Sequence, residues 1–225
     1  MRYRPERATI KAAVLVMGIS SGCSSPNSLL AGKQFALVSY LPDPLAQFLD
    51  DLRLELVPDC SPRAHVTILP PRRILGTSRQ ALDEVREMAR HFDPFSLRLG
   101  DIELFPVSNV VYIEIAGGRD RLLEMYKTMN SGVLNYREAY PYCPHITLAQ
   151  RIAPEAAEAA LETAQRQWKA FRFSRSFPVE TLHFVESEDG KCWRDLGEAV
   201  LESQRTPHHG FGSPTRTAPV APYRA

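Results

Sequence analysis

Apolar and polar positions along the chain follow two periods, one suited to strands and one to helices. Phe35–Tyr40 is a short apolar run that reads as a buried strand. Pro42-Asp43-Pro44 then opens a helix with Leu45, Phe48, Leu49, Leu52 and Leu56 at helical spacing, which Pro58 and the Cys60-Ser61-Pro62 turn bring to an end. Ala64–Leu69 reads as a strand stopped by Pro70-Pro71. Ser78 is the expected N-cap of a second helix, with Leu82, Val85, Ala89 and Phe92 on one face and Asp93-Pro94 as its breaker. Two further strands, around Phe95–Leu104 and Val110–Ile115, are joined by the Pro106–Asn109 turn.

The same alternation continues in the second part of the chain. Gly117-Gly118 leads into a helix from Arg119 to about Val133, with Leu122, Met125, Met129 and Val133 in period. His145–Ala149 is the next strand. Pro154 starts a helix whose inner stripe is Ala157, Leu161, Ala164 and Trp168. Phe171–Phe177, Thr181–Val185 and Trp193–Leu201 close the pattern as strands. From Ser203 the apolar period is lost among Pro, Gly, Ser, Thr and Arg, the composition of a disordered tail (203–225).

Two of these strands carry nearly the same residues, His65-Val66-Thr67-Ile68-Leu69 and His145-Ile146-Thr147-Leu148-Ala149, 80 positions apart (65 to 145). Side chains alternate across a strand, so each His shares a face with its Thr while the residues between turn to the core. The repeat, set in two related halves of the chain, brings two imidazoles and two hydroxyls toward one opening. An imidazole titrates near pH ~6.5, so one ring held neutral and one protonated serve as base and acid on a phosphate ester. The Thr hydroxyls supply hydrogen bonds to its non-bridging oxygens.

Composition narrows the partners. With 27 basic and 26 acidic residues the formal charge is +1, without the basic excess that holds long nucleic acid by its phosphates. A nucleotide or the end of an RNA fits better. The four cysteines, Cys23, Cys60, Cys143 and Cys192, form no C-x-x-C pair and read as buried reduced thiols. No glycine-rich loop ending in Lys-Ser/Thr is present.

Residues 1–32 allow two readings. Arg2, Arg4, Arg7 and Lys11 precede the apolar run Ala12–Ile19 and Cys23, in the order of a secretory or lipoprotein signal, while Met17 is an alternative start. A cytoplasmic protein is the main expectation, an exported or lipid-anchored one the alternative. No stretch approaches the ~20 apolar residues of a membrane helix.

The paired motifs and the strand–helix order resemble the 2H phosphoesterase superfamily, specifically its 2′-5′ RNA ligase branch, whose signature is two H-x-[ST]-hydrophobic segments. The likeness runs from about Lys33 to Leu201, within an expected domain of residues 33–202, and Ser187-Glu188-Asp189-Gly190…Trp193 is similar to that family's last hairpin. It implies an α+β, bilobal fold: two pseudo-symmetric lobes with antiparallel sheets flanking a central cleft and helices outside. It implies a metal-independent phosphoesterase without cofactor, acting on a 2′,3′-cyclic phosphate or 2′-5′ phosphodiester; a monomer is a separate expectation. His65, Thr67, His145 and Thr147 then match the catalytic positions, with His145 as base and His65 as acid in hydrolysis and the roles reversed for ligation.

Other residues are candidates on their chemistry alone. Arg72 or Arg73 after the first motif and Arg151 after the second can grip a terminal phosphate. Tyr40 and Tyr142 can stack on a base. His183 reads as structural, His91 as a helix-end residue, and His208-His209 falls in the tail. Rival readings of the same residues are 2′-5′ ligation of RNA ends and a binding module without turnover.

Overall fold

The computed structural model describes residues 32–58, 63–105 and 108–203. The proposed signal with Cys23, the tail from Gln204 with His208-His209, and Cys60 lie outside the described residues. Among the described residues eight strands and four α-helices follow one another as β1 (Gln34–Tyr40), α1 (Leu45–Leu56), β2 (His65–Arg72), α2 (Ser78–Ala89), β3 (Phe95–Phe105) and β4 (Val110–Gly117). The order continues with α3 (Arg119–Met129), β5 (His145–Ala149), α4 (Pro154–Ala170), β6 (Ser176–Val179), β7 (Thr181–Ser187) and β8 (Arg194–Val200).

The strands form two four-stranded antiparallel sheets, ordered β2-β1-β7-β8 and β5-β4-β3-β6. The halves legible in the sequence are a repeated β-α-β-α run, β1-α1-β2-α2 and β4-α3-β5-α4. They are not the two lobes, because the first sheet takes its other strands from the C-terminus and β3 joins the second sheet. The helices interlock the lobes further: α1 leaves β1 of the first sheet and packs on β5 and α4, while α3 leaves β4 and packs on β2 and α2. One continuous core results, running from Leu37, Leu49 and Ile68 through Ile113, Leu122 and Ile146 to Trp168 and Phe184.

Two expectations shift for identifiable reasons. β2 does not stop at Pro70-Pro71 but runs through to Arg72. It is an edge strand, and an extra residue opposite the Phe35–Leu37 step bulges it there, so the missing proline N–H groups leave no gap in the ladder. The cap of α2 is Thr77, not Ser78: the Gln80 N–H donates to Thr77 Oγ1 at 3.2 Å and the Thr77 N–H to Gln80 Oε1 at 3.0 Å. Elsewhere α3 ends at Met129, leaving Val133 in a 3-10 turn, and β6 starts only at Ser176. Neither described thiol is buried, Cys192 being exposed and Cys143 partly so. Among the described residues no helix is long and apolar enough to cross a membrane.

Thr77→Ala is expected to lower stability by about 1 kcal/mol while Ser78→Ala changes it by less than ~0.5. Urea unfolding of the two variants checks which residue holds the helix start.

Candidate active site

β2 and β5 are each the outer strand of their sheet, and they lie beside one another without pairing. Both strands carry the same irregularity. In β2, Val38 faces Thr67 but the next residue of β1, Leu37, faces Leu69; in β5, Tyr112 faces Thr147 and Val111 faces Ala149. The extra residue is Ile68 in one strand and Leu148 in the other. Each bulge turns two successive apolar residues, Ile68-Leu69 and Leu148-Ala149, into the core. The alternation that places His and Thr together on the open face is intact up to that point: Val66 and Ile146 are fully buried, while His65, Thr67, His145 and Thr147 remain partly open. The two H-x-T segments are thus brought together at the junction of the sheets.

Each imidazole is held the same way. His65 Nδ1 bonds the carbonyl of Arg63 at 2.7 Å, and His145 Nδ1 bonds the carbonyl of Cys143, also at 2.7 Å. A carbonyl only accepts, so Nδ1 is the protonated nitrogen in both rings and Nε2 is left with a free lone pair. Burial pushes the His65 pKa down to about 4; the cations Arg53 and Arg63 and the neighbouring His145 add to the shift, against the Arg63 carbonyl bond. Burial likewise lowers His145, which lacks those cationic neighbours. Both rings are therefore neutral at pH 7 in the resting protein.

The walls of the opening differ. On the first sheet a row of facing residues runs Thr67, Val38, His183, Glu198. Tyr40, opposite His65, donates its hydroxyl to Asp195 Oδ1 at 2.6 Å, and Arg63 pairs with the same carboxylate at 2.8 Å. The Arg63 guanidinium lies 3.2 Å from the Tyr40 ring centre and the His183 ring lies 4.4 Å from it. On the second sheet Phe105 and Tyr112 stack at 3.8 Å and both meet His145 edge-on, at 5.2 and 5.4 Å. Arg119 there contacts Cys143 Sγ at 3.8 Å.

Several residues singled out in the sequence turn out to be engaged within the protein. Arg72 is a correction: it is 1% exposed and donates to Pro70 O, Asn130 Oδ1, Leu134 O and Glu138 Oε1, so no donor faces a substrate. Tyr40 is engaged by Arg63, 3.2 Å over its ring, by the His183 ring at 4.4 Å and, through its hydroxyl, by Asp195. Tyr142 stacks on Tyr126 at 4.3 Å and donates to the Thr67 carbonyl at 2.6 Å. Arg151 is exposed, in the left-handed region at φ 60°, with its guanidinium beside Gly190 of the β7–β8 turn. That turn is held by Asp189, which accepts from Ser187 Oγ and from the N–H groups of Lys191 and Cys192.

Sequence reasoning passed over Arg63, Asp195, Phe105, Tyr112 and Arg119. A signal existed for Arg63, which stands two residues before His65; Phe105, Tyr112 and Asp195 reach the opening through strand pairing, and Arg119, at the start of α3, through its contact with Cys143. The model of the 2′-5′ RNA ligase superfamily matches residues 41–191. The chain belongs to the 2′-5′ RNA ligase superfamily. A Bacillus licheniformis relative, provisionally named a phosphoesterase, is 24% identical over 135 residues, 56% of this chain and 77% of its own. The fold is shared with TT0787 of Thermus thermophilus (23% identity, 76% of this chain and 99% of that one, TM-score 0.56). It is shared also with E. coli LigT, solved with 3′-AMP (16% identity, 76% and 99%, TM-score 0.51). Membership in this superfamily of phosphoesterases supports an enzyme.

The depressed imidazoles have a consequence for stability. The unfolded chain takes up these protons near pH ~6.5 and the folded chain takes up that of His65 only near 4. Their contribution is therefore complete above about 6.5 and lost as pH falls from there toward 4. The urea midpoint should drop between pH 7 and pH 5, and drop less in His65→Asn. An equal drop in the variant would place the pH dependence elsewhere.

Proposed function

We propose that the opening between β2 and β5 hydrolyses a 2′,3′-cyclic phosphate or a 2′-5′ phosphodiester of a nucleotide or RNA end, by acid–base catalysis from His65 and His145. The observation that carries this reading is the duplicated anchoring of the two rings. Both Nδ1 atoms are committed to a carbonyl two residues upstream, leaving two Nε2 atoms for the same opening. LigT has been solved with 3′-AMP, ATP and NADP+, all phosphate-bearing nucleotides, which supports a substrate of that class.

In hydrolysis one neutral Nε2 takes a proton from water as its oxygen bonds to phosphorus. The other, protonated, Nε2 gives its proton to the ribose oxygen as that P–O bond breaks. The family resemblance assigns the first role to His145 and the second to His65. One proton thus passes from water to His145 and one from His65 to the product; solvent exchange resets the pair. Charge growing on the non-bridging oxygens is met by the Thr67 and Thr147 hydroxyls, which share the open face with the rings. No step calls for a metal. Because both rings are neutral at rest, the arriving phosphate, being negative, helps supply the protonated acid by raising their affinity for a proton.

Turnover of the four 2′,3′-cyclic mononucleotides and of a cyclic-phosphate-ended RNA, with EDTA present, tests the proposal. His65→Ala and His145→Ala should each remain folded and lose about 10²–10⁴-fold in turnover. Thr67→Val and Thr147→Val should lose less. Wild-type turnover in both His variants would contradict the mechanism. A 2′-5′-linked product from cyclic-phosphate and 5′-hydroxyl ends would mark ligation instead, and binding without conversion would mark a binding module.

The pH profile supplies a second check. The productive free enzyme has one ring protonated and one neutral, and both affinities are depressed. The bell of kcat/KM should therefore centre on the acid side of about 6.5. A centre at pH 8 or above would contradict the paired-imidazole assignment.

A further inference from the structure

β2 and β5 are not hydrogen-bonded to one another, so no ladder sets the distance between the two H-x-T segments. Among the described residues one side-chain hydrogen bond crosses between them. The Tyr142 hydroxyl, three residues before His145, donates to the main-chain carbonyl of Thr67 at 2.6 Å. We infer that Tyr142 is a positioning residue that sets the spacing of the two motifs, an inference that rests on the catalytic reading above.

The surroundings suit that task. The Tyr142 ring lies nearly parallel to Tyr126 of α3, with centres 4.3 Å apart and planes inclined by 14°. Arg72, at the far end of β2, ties the segment between them to the same strand through Asn130, the Leu134 carbonyl and Glu138 at 2.6–3.1 Å. Asn130 in turn accepts from the Tyr136 N–H and donates to its carbonyl. The strand of the first motif thus holds the whole segment that leads into the second.

Transmission from Tyr142 to His145 is short. The link is Cys143, whose carbonyl accepts the hydrogen bond from His145 Nδ1–H, and Pro144, buried and with its φ fixed by the ring. A shift of Tyr142 relative to Thr67 therefore moves the acceptor that orients His145. Tyr142 touches no reacting atom in this arrangement and acts through the carbonyls of Thr67 and Cys143.

Tyr142→Phe keeps the ring and its stack on Tyr126 and removes only the bond, so the variant retains the fold. Against the substrate that wild type turns over, kcat should fall on the order of tenfold to a hundredfold, with KM changed less than about twofold. In a His145→Ala background the same substitution should have almost no effect, because the group it orients is gone. Undiminished kcat, or a raised KM with kcat intact, would overturn the inference, the second because it would place Tyr142 on the substrate.

A readout independent of turnover keeps this test separate from that of the catalytic reading. Proton titration of the His65 and His145 rings by NMR should show both displaced in Tyr142→Phe. If wild type converts no phosphodiester, the catalytic reading fails while displaced titrations still support the clasp. Unmoved titrations overturn the clasp whatever the activity.

Discussion

An edge strand exposes a row of unpaired N–H and C=O groups, and two such edges placed side by side tend to join into one sheet. In this molecule the edges of β2 and β5 adjoin and stay separate, and the opening exists because they do. Bulges at Ile68 and Leu148 twist each edge away from a flat ladder just after the threonines. The Tyr142 hydroxyl covers one of the exposed carbonyls, that of Thr67. Crossing of α1 and α3 to the opposite lobes then locks the sheets around a common core, so the gap cannot open without disturbing Leu49, Leu122 and their neighbours.

Within that frame the two motifs are alike in geometry and unlike in charge. The Nδ1 bonds are the same length and run to the same relative position. The fields differ: Arg53 and Arg63 bear on His65, whereas His145 has Phe105 and Tyr112 edge-on beside it. Arg53 and Arg63 disfavour a proton on His65 in the free protein, so the acid role that the family resemblance gives it depends on the negative phosphate bound beside the ring.

Much of this was legible in the sequence because it depends on local periods. The strand alternation of His65-Val66-Thr67 and His145-Ile146-Thr147, the helical stripes and the repeated order all follow from side-chain direction alone. The two-apolar ending of each motif, Ile68-Leu69 and Leu148-Ala149, breaks that alternation and records the bulge, a signal easy to miss without the register. Long-range partners were less accessible. Arg72 and Tyr142 sit next to the motifs and carry the right chemistry for substrate, yet their partners Glu138, Asn130, Tyr126 and the Thr67 carbonyl come together only on folding. The engagement of Tyr40 is hidden for the same reason, since Asp195 lies far along the chain on β8.

Paired-imidazole catalysis requires that both rings meet one phosphate. Titrating the protein with 3′-AMP while following the ring nitrogens of its histidines by NMR tests it directly. The Nε2 signals of His65 and His145 should move together along one saturation curve, with His91 unaffected. Movement of only one of the two rings, or saturation without movement of either, would contradict it.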